Sequence, residues 1–257
     1  MRDVFAKLFK AVGLYLRHFV ILAALALALN APLFFLVEYA RFRGFKPGVV
    51  SAFESVGALF FTPLFIGTLI EALRLVTGRE RAGFFHCIGV GLSRWFALVV
   101  NFFLSILMIA VSFLHGLAGL VMMVKLSLMG PVVVIEKLSG KAAMDRSEAL
   151  TDGWRWKIVG SVMLLATALA GLQHGAEICF AAHPIAWASA WWFPAAAKTL
   201  RLLAGLPMHV ILFLYYRDAW LLDVIKSSDG RLIVIDRPDP EPASPYTTGR
   251  KDYPARQ

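Results

Sequence analysis

The stretch Phe19–Val37, FVILAALALALNAPLFFLV, determines the class of fold. It contains no charged residue, and Asn30 is its one clearly polar side chain. A helix of about 20 apolar residues crosses the ~30 Å hydrocarbon core of a bilayer. We therefore interpret this stretch, together with His18, as a membrane-spanning helix.

Five further apolar runs follow this span, so we predict an all-α fold, a polytopic membrane bundle of about six transmembrane helices within residues 18–225. The composition supports this class, because 59% of the 257 residues are hydrophobic and only 17% are charged. Such a composition excludes a soluble globule, whose surface needs more charge. The predicted spans cover residues 18–37, 55–70, 95–114, 117–135, 158–171 and 202–216.

The segment before the first span, residues 1–17, is predicted to form an interfacial amphipathic helix. Phe5 and Leu8 lie on its apolar face, whereas Lys7 lies on the opposite, polar face. A cleavable signal peptide is the alternative, with its apolar region at 19–29. The apolar stretch continues beyond the length that a signal peptide requires, which favours a retained span.

The last segment, residues 226–257, has a different composition from the rest of the chain. Five of the twelve prolines lie between Pro238 and Pro254, among charges of both signs. Such a segment does not contain enough apolar side chains to form a packed core. We predict a flexible cytoplasmic tail.

The basic residues predict how the chain is oriented in the membrane. The formal net charge is +9, but the Lys and Arg residues flank the apolar runs, so they indicate orientation and not a nucleic-acid partner. They concentrate before the first span and in the links after the second and fourth spans. The positive-inside rule then predicts that both termini are cytoplasmic. The exception is the link 41–46, with Arg41, Arg43 and Lys46, which this topology places outside.

The sequence contains an internal repeat, whose two copies have the same orientation in the membrane. A shift of 61 residues superposes Arg94 and its Trp neighbour on Arg155 and its Trp neighbour, and each pair follows a short amphipathic segment. We predict that these segments, at about 80–93 and 139–153, are elbow helices, re-entrant or interfacial, on the cytoplasmic side. Ser139 is the expected N-cap of the second elbow.

Three consecutive motifs in the second half of the chain carry a resemblance to a known family. They are KLSLMGPVVVIE at Lys125–Glu136, AAMDRS at 142–147 and LTDGWRW at 150–156. Together they resemble the membrane domain that is fused to some bacterial glycerophosphoryl diester phosphodiesterases and that also occurs alone in inner-membrane proteins. The chain departs from the family pattern at Lys125, where the family usually has Arg, and at Met144 and Asp145, where it usually has Leu and a basic residue.

The resemblance implies a six-helix integral domain of a bacterial inner membrane, with two cytoplasmic elbows. It does not imply phosphodiesterase activity, because the catalytic part of those enzymes resembles a TIM barrel that needs about 250 residues by itself. The sequence also contains no Gly-rich nucleotide loop, nucleophile elbow or pair of catalytic carboxylates. We therefore predict a protein that is not an enzyme and that has no cofactor.

Lys125 lies well inside the fourth predicted span, where an isolated ammonium group is costly and usually faces a partner or a wet cavity. Glu136 comes eleven residues later, about 16 Å along a straight helix, and is too far away for direct pairing. We therefore expect Lys125 to pair with Glu54 or Glu71 of the second span. Its role is either that of a structural ion pair or snorkelling side chain, or that of a group in a substrate or ion pathway.

Other residues near the second elbow are predicted to have structural roles. Pro131 belongs to the fourth span, and Glu136 either accepts hydrogen bonds from elbow N–H groups or pairs with Arg146. Arg155 and Trp156 are expected to anchor the fifth span at the lipid headgroups.

A weak candidate for a metal site follows the fifth span. His174 and Glu177 share one helical face, with His183 nearby, and these are ligand types that zinc accepts. Interfacial polar residues are the alternative, and we predict no bound metal. Just before them, Gly171 and Gly175 form a GxxxG pattern, which predicts close helix packing within the chain or in a dimer.

Two functions from different classes fit these predictions. The first is a non-enzymatic inner-membrane scaffold or accessory subunit, whose partners are membrane lipids and a membrane protein or a second copy of the chain. The second is a small transporter or lipid-handling protein with a cavity near Lys125. A filled bundle favours the scaffold, whereas a polar, water-accessible cavity favours the transporter.

Overall fold

The computed structural model describes residues 2–114, 116, 118–182 and 190–227, without the side chains of residues 176–182 and 226–227. Over this part of the chain the structure consists of α-helices and contains no strand. The all-α prediction is therefore confirmed. The helices are α1 Arg2–Arg17, α2 Phe19–Phe42, α3 Pro47–Thr77, α4 Phe84–Phe113, α5 Ala118–Lys125, α6 Met129–Ile135, α7 Gly140–Thr151, α8 Arg155–Ala182 and α9 Phe193–Ser227.

Six segments of the described chain are long and apolar enough to cross a membrane, as predicted. The protein is therefore a multi-pass integral membrane protein. The fourth of these segments includes both α5 and α6. The six segments are Phe19–Phe42, Pro47–Thr77, Phe84–Phe113, Ala118–Ile135, Arg155–Gly175 and Phe193–Ile225.

By its internal contacts, the chain divides into two compact units, Met1–Trp220 and Leu221–Gln257. The first unit contains one large apolar core, to which α1 contributes Ala11 and Tyr15. The candidate site lies within this unit. The tail predicted from residue 226 lies outside the residues whose side chains are described.

The two predicted elbows differ in the structure. The second is the separate helix α7, because Gly153 adopts φ 75° and turns the chain before α8. The first is not a separate helix, since α4 is continuous from Phe84 to Phe113. That prediction was wrong because Gly91 packs closely against Thr68 of α3: a Cβ at Gly91 would lie 3.0 Å from the Thr68 backbone nitrogen. The packing of α3 on α4 supports a continuous helix here.

We call one end of the bundle the N-terminal end; it contains α1, α7 and the start of α8. There, Lys7 Nζ lies 2.8 Å from Asp218 Oδ2 of α9 and 4.5 Å from the centre of the Trp154 ring. Asp3 Oδ2 lies 3.2 Å from Lys157 Nζ of α8. The sequence placed Lys7 on the polar face of α1, and this prediction is wrong, because Lys7 faces the bundle and pairs there with Asp218. Burial lowers the pKa of Lys7, and the Asp218 carboxylate opposes this shift.

At the opposite end, the end of α2 meets α3 and the start of α9. Arg41 Nη1 lies 2.5 Å from Glu38 Oε1, and Arg41 Nη2 lies 2.6 Å from Glu54 Oε2. Lys198 Nζ lies 3.1 Å from Glu38 Oε1 and 2.6 Å from Glu54 Oε1. These ion pairs place Arg41 at the end of the bundle opposite to α1, as expected if α2 crosses the membrane.

Candidate functional site

The fourth span is interrupted near its middle. α5 ends at Lys125, and α6 begins at Met129. Pro131 has no N–H to donate to the carbonyl of Ser127, and its ring would clash with that carbonyl in an uninterrupted helix. At the break, the Ser127 N–H donates to Val124 O at 3.1 Å, in the tighter i to i+3 pattern. The predicted structural residue Pro131 thus accounts for the position of the break.

Lys125, at the end of α5, forms an ion pair and hydrogen bond with Glu148 of α7. The predicted partners, Glu54 and Glu71, are both engaged elsewhere. Glu54 belongs to the ion pairs of the opposite end, and Glu71 accepts two hydrogen bonds from Arg74, at 2.8 and 2.7 Å. The predicted pairing with α3 is therefore wrong, because each α3 carboxylate has a nearer cation and α7 packs against the break.

Ser147 of α7 satisfies a backbone oxygen that the break exposes. The N–H of Met129 donates to Leu126 O at 3.1 Å, and not to the carbonyl of Lys125, four residues before it. Ser147 is fully buried, and its Oγ donates to the Lys125 carbonyl at 2.7 Å. Because unpaired backbone groups are costly inside a membrane, this hydrogen bond stabilises the break.

The other predicted structural residues flank α7 or lie on it. Arg146 Nε lies 2.7 Å from Glu136 Oε2, which is one of the two predicted alternatives for Glu136. Glu136 also accepts a hydrogen bond from the Tyr216 hydroxyl at 3.1 Å, a contact that the sequence did not predict. Arg155 lies 3.5 Å from a carboxylate oxygen in the preceding turn, and Trp156 is 85% exposed. Contact of Arg155 and Trp156 with lipid headgroups stays a prediction.

A cavity of about 250 Å³ lies against the break, on the side of α3, α4 and α9. It is larger than the ~150 Å³ that is sufficient for a benzene molecule. Its wall is mostly apolar and contains no charged side chain; Lys125 is not part of the wall, although the next two residues are. The wall is therefore less polar than that of the cavity predicted near Lys125. The polar side chains in the wall are Asn101, Ser105, Ser127 and His209.

Asn101 has a polar atom that no described residue satisfies. The residue is 2% exposed, and its Nδ2 donates to Ala97 O at 2.6 Å, whereas its Oδ1 has no hydrogen-bond partner in the part of the chain that the structure describes. The hydroxyls of Ser105 and Ser127, by contrast, donate to backbone carbonyls at 2.8 and 2.7 Å. Sequence reasoning missed Asn101, although an Asn inside the apolar run 95–114 was a visible signal.

The weak metal candidates fall mostly outside the described residues. His174 is in α8, but the side chains of Glu177 and His183 are not described. Among the residues that are described, no group of three or more His, Cys, Asp or Glu side chains is placed to hold a metal ion. Gly171 and Gly175 have no described atom within 4 Å of an added Cβ. No described part of the chain packs closely at these two glycines, and close packing in a dimer stays a prediction.

Comparison of the chain with protein-family models, with curated proteins and with solved structures finds no match. The resemblance to the phosphodiesterase-type membrane domain therefore stays a prediction. The described structure offers two features that bear on function, a broken fourth span and a mostly apolar cavity beside it.

Proposed function

We propose that the protein is a non-enzymatic, lipid-handling membrane protein that holds the apolar chain of a lipid in the cavity beside the broken fourth span. The observation that carries this proposal is the cavity, about 250 Å³ in volume, which lies among membrane-spanning helices. A scaffold requires only a filled bundle, whereas a cavity of this size has room for a ligand.

The cavity wall suits an uncharged, apolar occupant. Ile66, Leu98 and Leu212 line it, and no ionised side chain does. A charged solute would lose its hydration there without gaining a partner, which is strongly unfavourable. An apolar chain, in contrast, makes the dispersion contacts that an empty cavity lacks. The wall therefore supports a lipid chain better than a polar transport substrate.

Photo-crosslinking in lipid nanodiscs tests this proposal. We expect a phospholipid with a diazirine in its acyl chain to label Met129, which lines the cavity and is only 5% exposed. Because Met129 is nearly closed to the surrounding lipid, a label there requires a chain inside the cavity. Ser105→Leu fills part of the cavity and is expected to remove that label, as measured by mass spectrometry of peptides.

The matched control is Ser112→Leu. Ser112 lies in the same helix as Ser105 and forms the same type of hydrogen bond, from its Oγ to Met108 O at 2.7 Å, but it does not line the cavity. This variant is expected to keep the label on Met129. An unlabelled Met129 in the unmodified protein, or equal labelling in the two variants, contradicts the proposal.

A second candidate function, a membrane scaffold or accessory subunit, is supported by the surface of α8. Gly171 and Gly175 are exposed, and an added Cβ at either meets no described atom within 4 Å. A helix of a partner protein or of a second copy therefore has room to approach closely. Native mass spectrometry in mild detergent tests this function: a dimer or heteromeric complex that Gly171→Leu disrupts supports it, and a monomer contradicts it.

We infer that the protein lies in a bacterial inner membrane with its N-terminal end in the cytoplasm. Basic residues of the N-terminal end occur in α1, after α3 and on both sides of α7. Basic segments of this kind are retained on the cytoplasmic side during insertion, which supports the inferred orientation.

A further inference from the structure

We propose that helix α1 binds the headgroups of anionic phospholipids in the surrounding membrane, through an exposed basic stripe that lies beside an exposed apolar stripe. The basic stripe consists of Arg2, Lys10 and Arg17, and the apolar stripe consists of Phe5, Phe9 and Leu16. None of these residues lines the cavity beside the fourth span. The inference therefore concerns a second lipid-binding surface and does not depend on the proposed function.

The remaining face of α1 packs against the bundle. Ala11 and Tyr15 on this face are only 1% and 8% exposed, and Lys7 pairs with Asp218 of α9. These contacts fix which side of the helix turns outward. Both stripes therefore lie on the outer side of α1, where a lipid of the surrounding membrane has access to them.

The apolar stripe is suited to the boundary between lipid headgroups and acyl chains. Phe5, Phe9 and Leu16 are 44%, 72% and 64% exposed. At about 100° per residue, they lie within about 40° of one another around the helix axis. The core that α1 joins is built from membrane-spanning helices. We therefore place α1 in the membrane plane, with this stripe about 5–10 Å into the boundary, as in other interfacial helices.

The basic stripe carries positive charge that the described residues do not neutralise. Arg2, Lys10 and Arg17 are exposed, and none of them forms an ion pair within the described part of the chain. The acidic residue of the same helix, Asp3, lies 3.2 Å from Lys157 of α8. Anionic headgroups supply the missing negative charge, and each basic residue close to an anionic surface adds a roughly fivefold attraction. The stripe therefore favours anionic over zwitterionic lipids.

The test measures which lipid lies next to α1 in the full-length protein. Phe9→Cys provides the attachment point for a bimane fluorophore in a chain whose native Cys87 and Cys179 are replaced by Ala. The protein is placed in nanodiscs of equal amounts of phosphatidylcholine and phosphatidylglycerol, and one of the two lipids carries bromine near the top of its acyl chains. We expect brominated phosphatidylglycerol to quench the bimane roughly twofold to fivefold more strongly than brominated phosphatidylcholine.

Two triple variants with matched losses of charge test whether the basic stripe causes this difference. The first removes the stripe and is expected to make quenching by the two lipids equal; it combines Arg2→Gln, Lys10→Gln and Arg17→Gln. The control removes three exposed basic residues of the same end of the bundle outside α1 and is expected to retain the difference; it combines Arg79→Gln, Arg81→Gln and Lys141→Gln.

Each other outcome overturns a defined part of the inference. Equal quenching with the basic stripe intact overturns the selection of anionic lipid, and this comparison does not depend on the folding of either triple variant. A difference that persists without the stripe, or that the control also loses, overturns the role of the stripe. No quenching by either lipid overturns the placement of the apolar stripe in the membrane, and is the result expected if a partner protein or a second copy covers it. These outcomes are independent of the labelling of Met129, which tests the proposed function.

Discussion

The Tyr15 hydroxyl of α1 supplies a hydrogen-bond donor that Pro207 of α9 lacks. Pro207 lies inside α9 and has no N–H for the carbonyl of Leu203, four residues earlier. The Tyr15 hydroxyl of α1 donates to that carbonyl at 3.0 Å. Helix α1 is thus attached to the bundle by a polar contact as well as by apolar packing, and the unpaired carbonyl is satisfied where lipid offers no donor.

We expect Tyr15→Phe to lower the free energy of unfolding by about 1–3 kcal/mol, because it leaves the buried carbonyl of Leu203 without a donor. Pro207→Ala restores an N–H to this carbonyl, so Tyr15→Phe is expected to cost less in that background. Titration with a denaturing detergent in mixed micelles, followed by Trp fluorescence, measures both effects. An equal loss in the two backgrounds contradicts the compensating role of this hydrogen bond, since Tyr15→Phe keeps the ring contact with Phe19, whose centroid is 5.4 Å away.

Lys125 and Asn101 show what the sequence predicts at the scale of single residues. The need of Lys125 for a partner follows from its position in an apolar run, and the structure supplies a carboxylate. The identity of that carboxylate, Glu148, depends on how α7 packs against the break, which the residue spacing does not specify. The free oxygen of Asn101 likewise depends on the contacts of its other amide atom.

At the scale of elements, helix α7 forms polar contacts with both halves of the interrupted fourth span. Arg146 pairs with Glu136 just after α6, while Ser147 and Glu148 contact Lys125 at the end of α5. Three consecutive residues of one short helix therefore contact the chain on both sides of the break. We infer that α7 stabilises the interrupted conformation of this span.

We expect Ser147→Ala to lower the free energy of unfolding by about 1–3 kcal/mol, because the carbonyl of Lys125 loses its donor in a buried site. Ser139→Ala is the matched control at the start of the same helix. Ser139 is the predicted N-cap of α7, but its side chain forms no capping hydrogen bond and is exposed, so its loss is expected to have little effect. Thermal unfolding of both variants in the same detergent makes the comparison, and equal shifts contradict the role assigned to Ser147.

The elements themselves were predictable to different degrees. The spans were predictable because an apolar run of about 20 residues has few stable alternatives to a membrane helix. The second elbow was predictable because polar residues and Gly153 separate it from α8. The continuity of α4 through the predicted first elbow was not predictable, because it depends on tertiary contacts. Gly91 packs against α3, and the Trp95 indole N–H donates to Phe60 O at 2.9 Å.

For the whole molecule, the ion pairs divide the polar residues between two ends of the bundle. At the N-terminal end, Lys7 pairs with Asp218; at the opposite end, Arg41 and Lys198 share the carboxylates of Glu38 and Glu54. The link 41–46 is basic, yet its first residue lies at the end opposite to α1. The orientation stays a prediction, which rests on the more numerous basic residues of the N-terminal end and on the positive-inside rule.

Cysteine labelling in intact bacterial cells tests this orientation. Phe45→Cys and Glu80→Cys introduce thiols at exposed positions in the links after α2 and after α3, in a chain whose native Cys87 and Cys179 are replaced by Ala. We expect a membrane-impermeant maleimide to label the thiol at 45 in intact cells and the thiol at 80 only after permeabilisation, because successive links lie on opposite sides of the membrane. The reverse pattern overturns the cytoplasmic assignment of the N-terminal end, and equal labelling at both positions in intact cells shows that α3 does not cross the membrane.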